Sequence, residues 1–170
     1  MIDLSSAIKF VPKTQTVNQD RFYYTNDACF IKEDTNIERG LYEAKILKFL
    51  TNNDFIYSPK YIGSHIDHDK KVHRLVMEKL SGETLENLVL SDSDKRRIAG
   101  ELFCLYGKLI GVNISHGDIN ESNLLFNVNT KELKLIDFEK ASYCKSITDH
   151  SNDLSGPPWG IIHLLRTRLL

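Results

Sequence analysis

The chain has 170 residues, 41% of them hydrophobic, enough to bury a core and too few for two full-sized independent domains, so one compact unit is expected. Its 22 Lys and Arg residues nearly balance 23 Asp and Glu, for a formal net charge of -1 at pH 7, which excludes an overall electrostatic footprint for nucleic acid or an anionic membrane. Cys29, Cys104 and Cys144 share no metal-like spacing, and the sequence has neither a signal-peptide pattern nor a run of about 20 apolar residues, so no membrane span and a reduced, cytoplasmic protein are expected. An effector exported without a cleavable signal, and so delivered into a host cell, would read the same way.

In chain order, the first third reads as strands. Ile8-Lys9-Phe10-Val11, Arg21-Phe22-Tyr23-Tyr24 and Ala28-Cys29-Phe30-Ile31-Lys32 are short runs rich in β-branched and aromatic residues, and Thr25-Asn26-Asp27 supplies turn chemistry between the last two. From Asn36 the period becomes helical: Ile37, Leu41, Ala44, Leu47 and Leu50 recur on one stripe, Asn36 can cap the start and Asn52-Asn53-Asp54 ends the run. Two further strands follow, Tyr61-Ile62-Gly63-Ser64-His65-Ile66 and His73-Arg74-Leu75-Val76-Met77-Glu78, so this part reads β-β-β-α-β-β. His65, His68 and His73 lie close in sequence without defining a metal site and are expected in solvent.

Beyond Ser81-Gly82, Thr84-Leu85-Glu86-Asn87-Leu88 suggests a short helix, and residues 93–111 a longer one with Ile98, Leu102, Leu105, Tyr106, Leu109 and Ile110 facing inward. The solvated face of that helix carries Lys95-Arg96-Arg97. Leu124-Leu125-Phe126 and Leu133-Lys134-Leu135-Ile136 read as a hairpin, and the apolar, basic tail from Ile161 as a last helix after Pro157-Pro158, with Trp159 an anchor for it.

Three polar residues carry the chemistry. In His116-Gly117-Asp118-Ile119-Asn120-Glu121-Ser122-Asn123, Asp118 and Asn123 stand five residues apart, a spacing at which a tight loop aims both at one place. Asp137 ends an apolar strand fourteen residues after Asn123, and the intervening hairpin returns the chain there. Phosphoryl transfer needs such a set: a carboxylate at the attacking hydroxyl and oxygen ligands for Mg²⁺ on the phosphates, completed by a cation for the nucleotide.

On these residues the chain resembles the protein-kinase-like superfamily over about residues 20–155. His116 to Asn123 is similar to its catalytic loop, and Asp137-Phe138-Glu139 to its metal-binding Asp-Phe-Gly segment. Ile31-Lys32 resembles the strand bearing the phosphate-binding lysine, Tyr42-Glu43-Ala44 the helix whose glutamate pairs with it, and residues 76–82 the hinge. The resemblance implies an α+β, bilobal kinase-like fold over residues 1–170. Residues 1–78 would form a lobe of small antiparallel sheet plus helix, and residues 79–170 a truncated, mainly helical one. It implies ATP and Mg²⁺ as cofactors and a protein substrate. Asp118 would orient or accept the hydroxyl proton, Asn123 and Asp137 would ligate Mg²⁺, and Lys32, paired with Glu43, would hold the α- and β-phosphates. Backbone groups of Glu78 and Leu80 would read adenine, with Met77 at the back of the pocket and Leu125 on its floor. Glu33 and Glu38 are rivals of Glu43.

The chain also departs from the family pattern. Before Gly40 there is no glycine, so residues 13–18 replace the Gly-rich phosphate cover. Gly117 stands where regulated kinases carry arginine, and Asn120 where they carry a lysine that neutralises the transferred phosphoryl. Asp153 comes only sixteen positions after Asp137, too few for a long activation segment, so constitutive activity or control by a docking protein partner is expected. These features resemble the kinase of the KEOPS tRNA-modification complex, which has an acidic residue comparable to Asp153, and minimal kinases of bacterial pathogens. Ser155-Gly156-Pro157-Pro158-Trp159-Gly160 departs from the KEOPS enzyme. Two alternatives stay open: a choline- or aminoglycoside-type small-molecule kinase, which also has Glu after Asp-Phe, and a non-catalytic nucleotide-binding pseudokinase.

Overall fold

A computed structural model of the protein describes residues 11–12, 21–25, 29–151, 153 and 161–169. The expected strand before Val11, the turn at Asn26-Asp27, the cover segment 13–18 and Trp159 lie outside them. The described residues form an α+β structure of small antiparallel sheets and three helices.

The largest sheet has five strands: β1 (Val11–Pro12), β2 (Arg21–Thr25), β3 (Cys29–Asp34), β4 (Tyr61–Asp67) and β5 (Val72–Glu78), in the order β1-β2-β3-β5-β4. Every pairing is antiparallel, and Tyr23, Lys32 and Leu75 stand side by side across the three middle strands. Because side chains alternate along a strand, Arg21, Tyr23 and Thr25 share the face that carries Lys32.

Helix α1 (Ile37–Asn52) crosses this sheet. Its start is fixed as the sequence suggests: the Asn36 side chain accepts the Arg39 N–H at 3.1 Å. Buried Asp34 reinforces the cap by accepting the Asn36 N–H at 2.7 Å and two hydrogen bonds from the Arg39 guanidinium at 2.7 and 2.8 Å. The buried stripe is Gly40, Glu43, Ala44, Ile46, Leu47 and Leu50. Leu41, expected inside, is 43% exposed, because the helix turns Gly40 and Glu43 toward the sheet instead. Gly40 is required by that approach: a Cβ there would lie 2.4 Å from Nδ1 of His73, a residue expected in solvent that is fully buried under the helix.

The second half is built on α2 (Asp92–Gly111), capped by Ser91, whose hydroxyl oxygen accepts the Asp94 N–H at 3.2 Å while its proton goes to the Asp94 carboxylate at 2.8 Å. Ile98, Leu102, Leu105 and Leu109 are wholly buried, each contributing about 1.5–3 kcal/mol of apolar burial. They pack in one core with Leu85, Leu124, Leu135 and Phe138. A three-stranded sheet of β6 (Glu83–Thr84), β8 (Leu124–Phe126) and β9 (Leu133–Leu135) and a two-stranded pair of β7 (Ile114–Ser115) and β10 (Ser142–Tyr143) complete the strands. The tail is a short α3 (Ile161–Leu164) running into one π turn (Leu165–Leu169) packed on α2. Its Arg168 donates hydrogen bonds to the carbonyls of Leu85 and Leu88 at 2.7 and 3.1 Å. Among the described residues no helix is long and apolar enough to cross a membrane.

Candidate active site

Between the five-stranded sheet and the β8–β9 hairpin lies a cavity of about 740 Å³, within the range of small-molecule sites. Lys32, Glu43, Met77, Glu78, Leu80, Asn123, Leu125 and Asp137 all line it. Asp118 is not on the lining. It joins the wall through Asn123, whose Nδ2 donates to the Asp118 carbonyl at 2.9 Å and stands 3.4 Å from its Oδ2.

One wall is an ion cluster. The Lys32 ammonium lies 2.8 Å from Glu43 Oε2 and 2.6 Å from Asp137 Oδ1, joining β3, α1 and the end of β9. The rivals of Glu43 are elsewhere: Glu33 pairs with Arg74 at 2.8 Å, and Glu38 is exposed. Burial disfavours the Lys32 ammonium, but the Glu43 and Asp137 charges outweigh it and raise its pKa. Burial alone would raise Asp137 as well, yet Lys32 beside it, with help from Arg21, holds that carboxyl below its ordinary value. Complete burial raises Glu43, with the Lys32 ammonium opposing. Two further charges that sequence reasoning missed extend the cluster: Glu139 Oε2 is 3.8 Å from Lys32 and forms an ion pair with Arg21. The signal for Arg21 was its period-two spacing with Tyr23 and Thr25, both of which line the cavity.

The other wall is the loop from His116 to Asn123. Asn120 Oδ1 accepts the N–H groups of Ser122 and Asn123 at 2.9 and 3.2 Å and the Ser122 hydroxyl at 2.6 Å, nucleating the 3₁₀ turn Glu121–Asn123. Buried Asp153 accepts the N–H groups of His116 and Gly117 at 2.9 and 2.7 Å. The His116 ring receives the Asp118 N–H on Nδ1 at 3.3 Å, which leaves the proton on Nε2, 3.0 Å from the Ile136 carbonyl it bonds. This ring stands edge-on to Phe138, centroids 4.7 Å apart, a contact worth about 1 kcal/mol. His116 is buried and its pKa is lowered, chiefly by that burial, so the histidine is a neutral strut between the two loops.

Asp137 sits where those loops meet, at φ 65° and ψ 66°. A left-handed aspartate costs about 1 kcal/mol, and such strain collects at functional sites. Lys140 follows on the turn Phe138–Lys140, its ammonium 2.9 Å from Asp118 Oδ2. Asn123 presents its amide nitrogen to Asp118, which leaves its carbonyl oxygen and the Asp137 carboxylate as hard oxygen donors on one wall, a set that fits Mg²⁺.

No family model matches the chain. It is 29% identical over 89 residues to the EKC/KEOPS complex subunit bud32 of Dictyostelium discoideum, covering 48% of this chain and 35% of that protein. It is also 29% identical over 124 residues to the probable serine/threonine-protein kinase mkcE of the same organism, covering 68% of this chain and 17% of that one. The chain thus spans about a third of one relative's length and about a sixth of the other's. At this low identity the two likenesses support a protein-kinase-like relationship.

Proposed function

We propose that the chain is a minimal Ser/Thr-type protein kinase that moves the γ-phosphate of ATP to a protein hydroxyl. The observation that carries this reading is the meeting of Lys32, Glu43, Asp137 and Asn123 on one cavity wall, with Asp118 one hydrogen bond behind. Lys32, braced by Glu43, holds the α- and β-phosphates. Asn123 and Asp137 hold Mg²⁺, which when bound neutralises charge on the phosphates. Asp118 orients the acceptor hydroxyl and takes its proton. Met77 and Leu125 sandwich the adenine. The Glu78 N–H is already bonded to the Lys60 carbonyl at 2.8 Å, so Glu78 offers adenine its carbonyl oxygen, and Leu80 the next backbone groups. In this reading residues 1–78 and 79–170 are the two lobes, and the likeness to a KEOPS complex subunit supports a protein partner that completes or controls the enzyme.

One observation favours a second reading. Glu139, which follows Asp137-Phe138, is held by Arg21 inside the site, and small-molecule kinases share that glutamate. Offering the purified protein amino alcohols, sugars and aminoglycosides beside protein acceptors separates the two. For the phosphotransfer reading itself, Mg-ATP at 100 times its dissociation constant should stabilise the protein by about 2.7 kcal/mol. Asp118→Ala should lower radiolabel transfer by roughly 100-fold or more, and Asp137→Ala should abolish it. A wild type that transfers no phosphate, or an Asp118→Ala variant that transfers at full rate, refutes the reading.

A further inference from the structure

Asn120 stands where kinases of this pattern place a cationic side chain, and its amide is committed. Its Oδ1 accepts three hydrogen bonds within the loop and its Nδ2 donates to the Asp118 carbonyl at 3.1 Å. Two other cations at the site are also engaged, Lys32 by Glu43 and Asp137, and Arg21 by Glu139. Lys140 differs. Its ammonium touches the Asp118 carboxylate at 2.9 Å, yet its side chain is 57% exposed and able to swing.

Gly117 explains how Lys140 comes to be there. That residue has φ +77°, and a Cβ on it would lie 2.7 Å from the Lys140 carbonyl oxygen. Glycine at 117 therefore does two things at once: it adopts the left-handed backbone, and it lets the turn Phe138–Lys140 lie against the catalytic loop. Any larger residue there would push the Lys140 backbone away from Asp118.

Resting on the phosphotransferase reading above, we propose that Lys140 is a catalytic residue, the cation that contacts the phosphoryl group in flight, supplied by the metal-segment turn in place of the catalytic loop. The geometry follows from Asp118. A hydroxyl whose proton Asp118 takes lies about 3 Å from that carboxylate, and the phosphorus it attacks about 3–3.5 Å further on. An ammonium hydrogen-bonded to the same carboxylate reaches the equatorial phosphoryl oxygens by a rotation of its flexible stem. In the step, the acceptor oxygen bonds to the γ-phosphorus and the bond from that phosphorus to the β-phosphate oxygen breaks. ADP keeps the electron pair, the hydroxyl proton passes to Asp118, and Lys140 stays protonated throughout. Its hydrogen bond to Asp118 raises the Lys140 pKa and so favours the ammonium form.

The test compares wild type with Lys140→Met, Lys140→Arg and Asp118→Ala, in turnover and in melting temperature with Mg-ADP, with and without aluminium fluoride as a mimic of the transferring phosphoryl. Lys140→Met should lower kcat roughly 100-fold while leaving the KM for ATP within about twofold, the pattern of a contact made only in the transition state. Lys140→Arg should recover part of the rate. The extra stabilisation that aluminium fluoride gives wild type over Mg-ADP alone should vanish in Lys140→Met. A Lys140→Met protein that turns over within about threefold of wild type and keeps the fluoride gain overturns the proposal. So does a variant whose loss lies in KM alone. Transfer at the full wild-type rate in Asp118→Ala overturns the phosphotransferase reading of this site instead, and transfer lowered in Asp118→Ala but intact in Lys140→Met overturns only the role of Lys140.

Discussion

Around His116 to Asn123 the cavity wall is held by hydrogen bonds, most of them between residues two to five apart, with Asn120 alone ordering the turn through three accepted bonds. Around Lys32 the wall is held by ion pairs, and the partners Arg21, Lys32, Glu43 and Asp137 come from four separate stretches of chain, Lys32 and Asp137 being 105 residues apart. The first wall is stiff because each local bond presets the next. The second holds its shape only while the sheet, α1 and the β9 end stay packed, and its Lys32 ammonium stands 2.8, 2.6 and 3.8 Å from carboxylates of Glu43, Asp137 and Glu139. That suits their proposed tasks: a loop that positions a hydroxyl must be fixed, whereas a cation that shares carboxylates with a metal must be free to let one go.

Of the loop wall's ties to distant residues, the pair of hydrogen bonds to Asp153 should have the largest effect when cut. Asp153 is fully buried and its carboxylate takes the N–H groups of both His116 and Gly117. Asp153→Ala strands both donors, at a cost of about 3 kcal/mol in urea denaturation, and phosphate transfer should fall with the loop's order. A loss under about 0.5 kcal/mol would mean that the loop's other bonds hold it without Asp153.

On the other wall a single charge should matter less. Removing one partner of an isolated buried ion pair costs about 3–5 kcal/mol, but Lys32 keeps Asp137 at 2.6 Å when Glu43 is gone. Glu43→Gln should therefore cost about 1–2 kcal/mol, and a cycle with Lys32→Met should give strongly non-additive energies. Additive losses in that cycle would show that Lys32 and Glu43 act independently, and the contrast between the walls would fail.

The same contrast explains what could be read from the sequence. The cap at Asn36, the end of α1 and the β8–β9 hairpin are short-range features, and each stands where local pattern puts it; that hairpin returns Asp137 to the cavity that Asn123 lines, while Asp118 stands behind Asn123. Lys32 and Glu43 needed element order as well, because nothing local separates Glu43 from Glu33 or Glu38. Leu41 and His73 were misread for one reason: the α1 face is set by what packs under it, and Gly40 lets the helix settle onto His73. Lys140 and Arg21 were missed because their partners lie across folds of the chain, 22 residues away for Asp118 and well over 100 for Glu139. Two-residue strands such as β7 and β10 carry no periodicity at all.

Each wall also has one buried histidine, and acid should separate them by the smallest of these effects. His116 belongs to the loop wall; His73 lies under α1 on the sheet beside the ion cluster, paired across the strands with Asp34. Burial is the main cause that lowers both pKa values, with the nearby charges of Asp153 on His116 and of Asp34 on His73 opposing it. In the unfolded chain both titrate near about 6.5. Between that value and the lower folded one, the unfolded chain binds more protons, so stability falls as pH falls. What these histidines contribute is complete above about pH 6.5 and is lost below it, at up to about 1.4 kcal/mol per unit of lowering. The lowered carboxyls, Asp137 among them, lose their contribution only as pH drops through about 3.9, a separate window. Glu43 works the other way: its raised carboxyl binds more protons in the folded protein and so gains stability as pH falls, down to about 4.3 where the unfolded carboxyl also protonates. The measurement is therefore a difference: urea midpoints for wild type and His73→Leu at about pH 7.5 and 5.5, in which Glu43 and His116 cancel. Wild type should lose more on acidification than His73→Leu, and the difference between the two is the share of His73. Equal losses in the two proteins would take His73 out of the acid sensitivity.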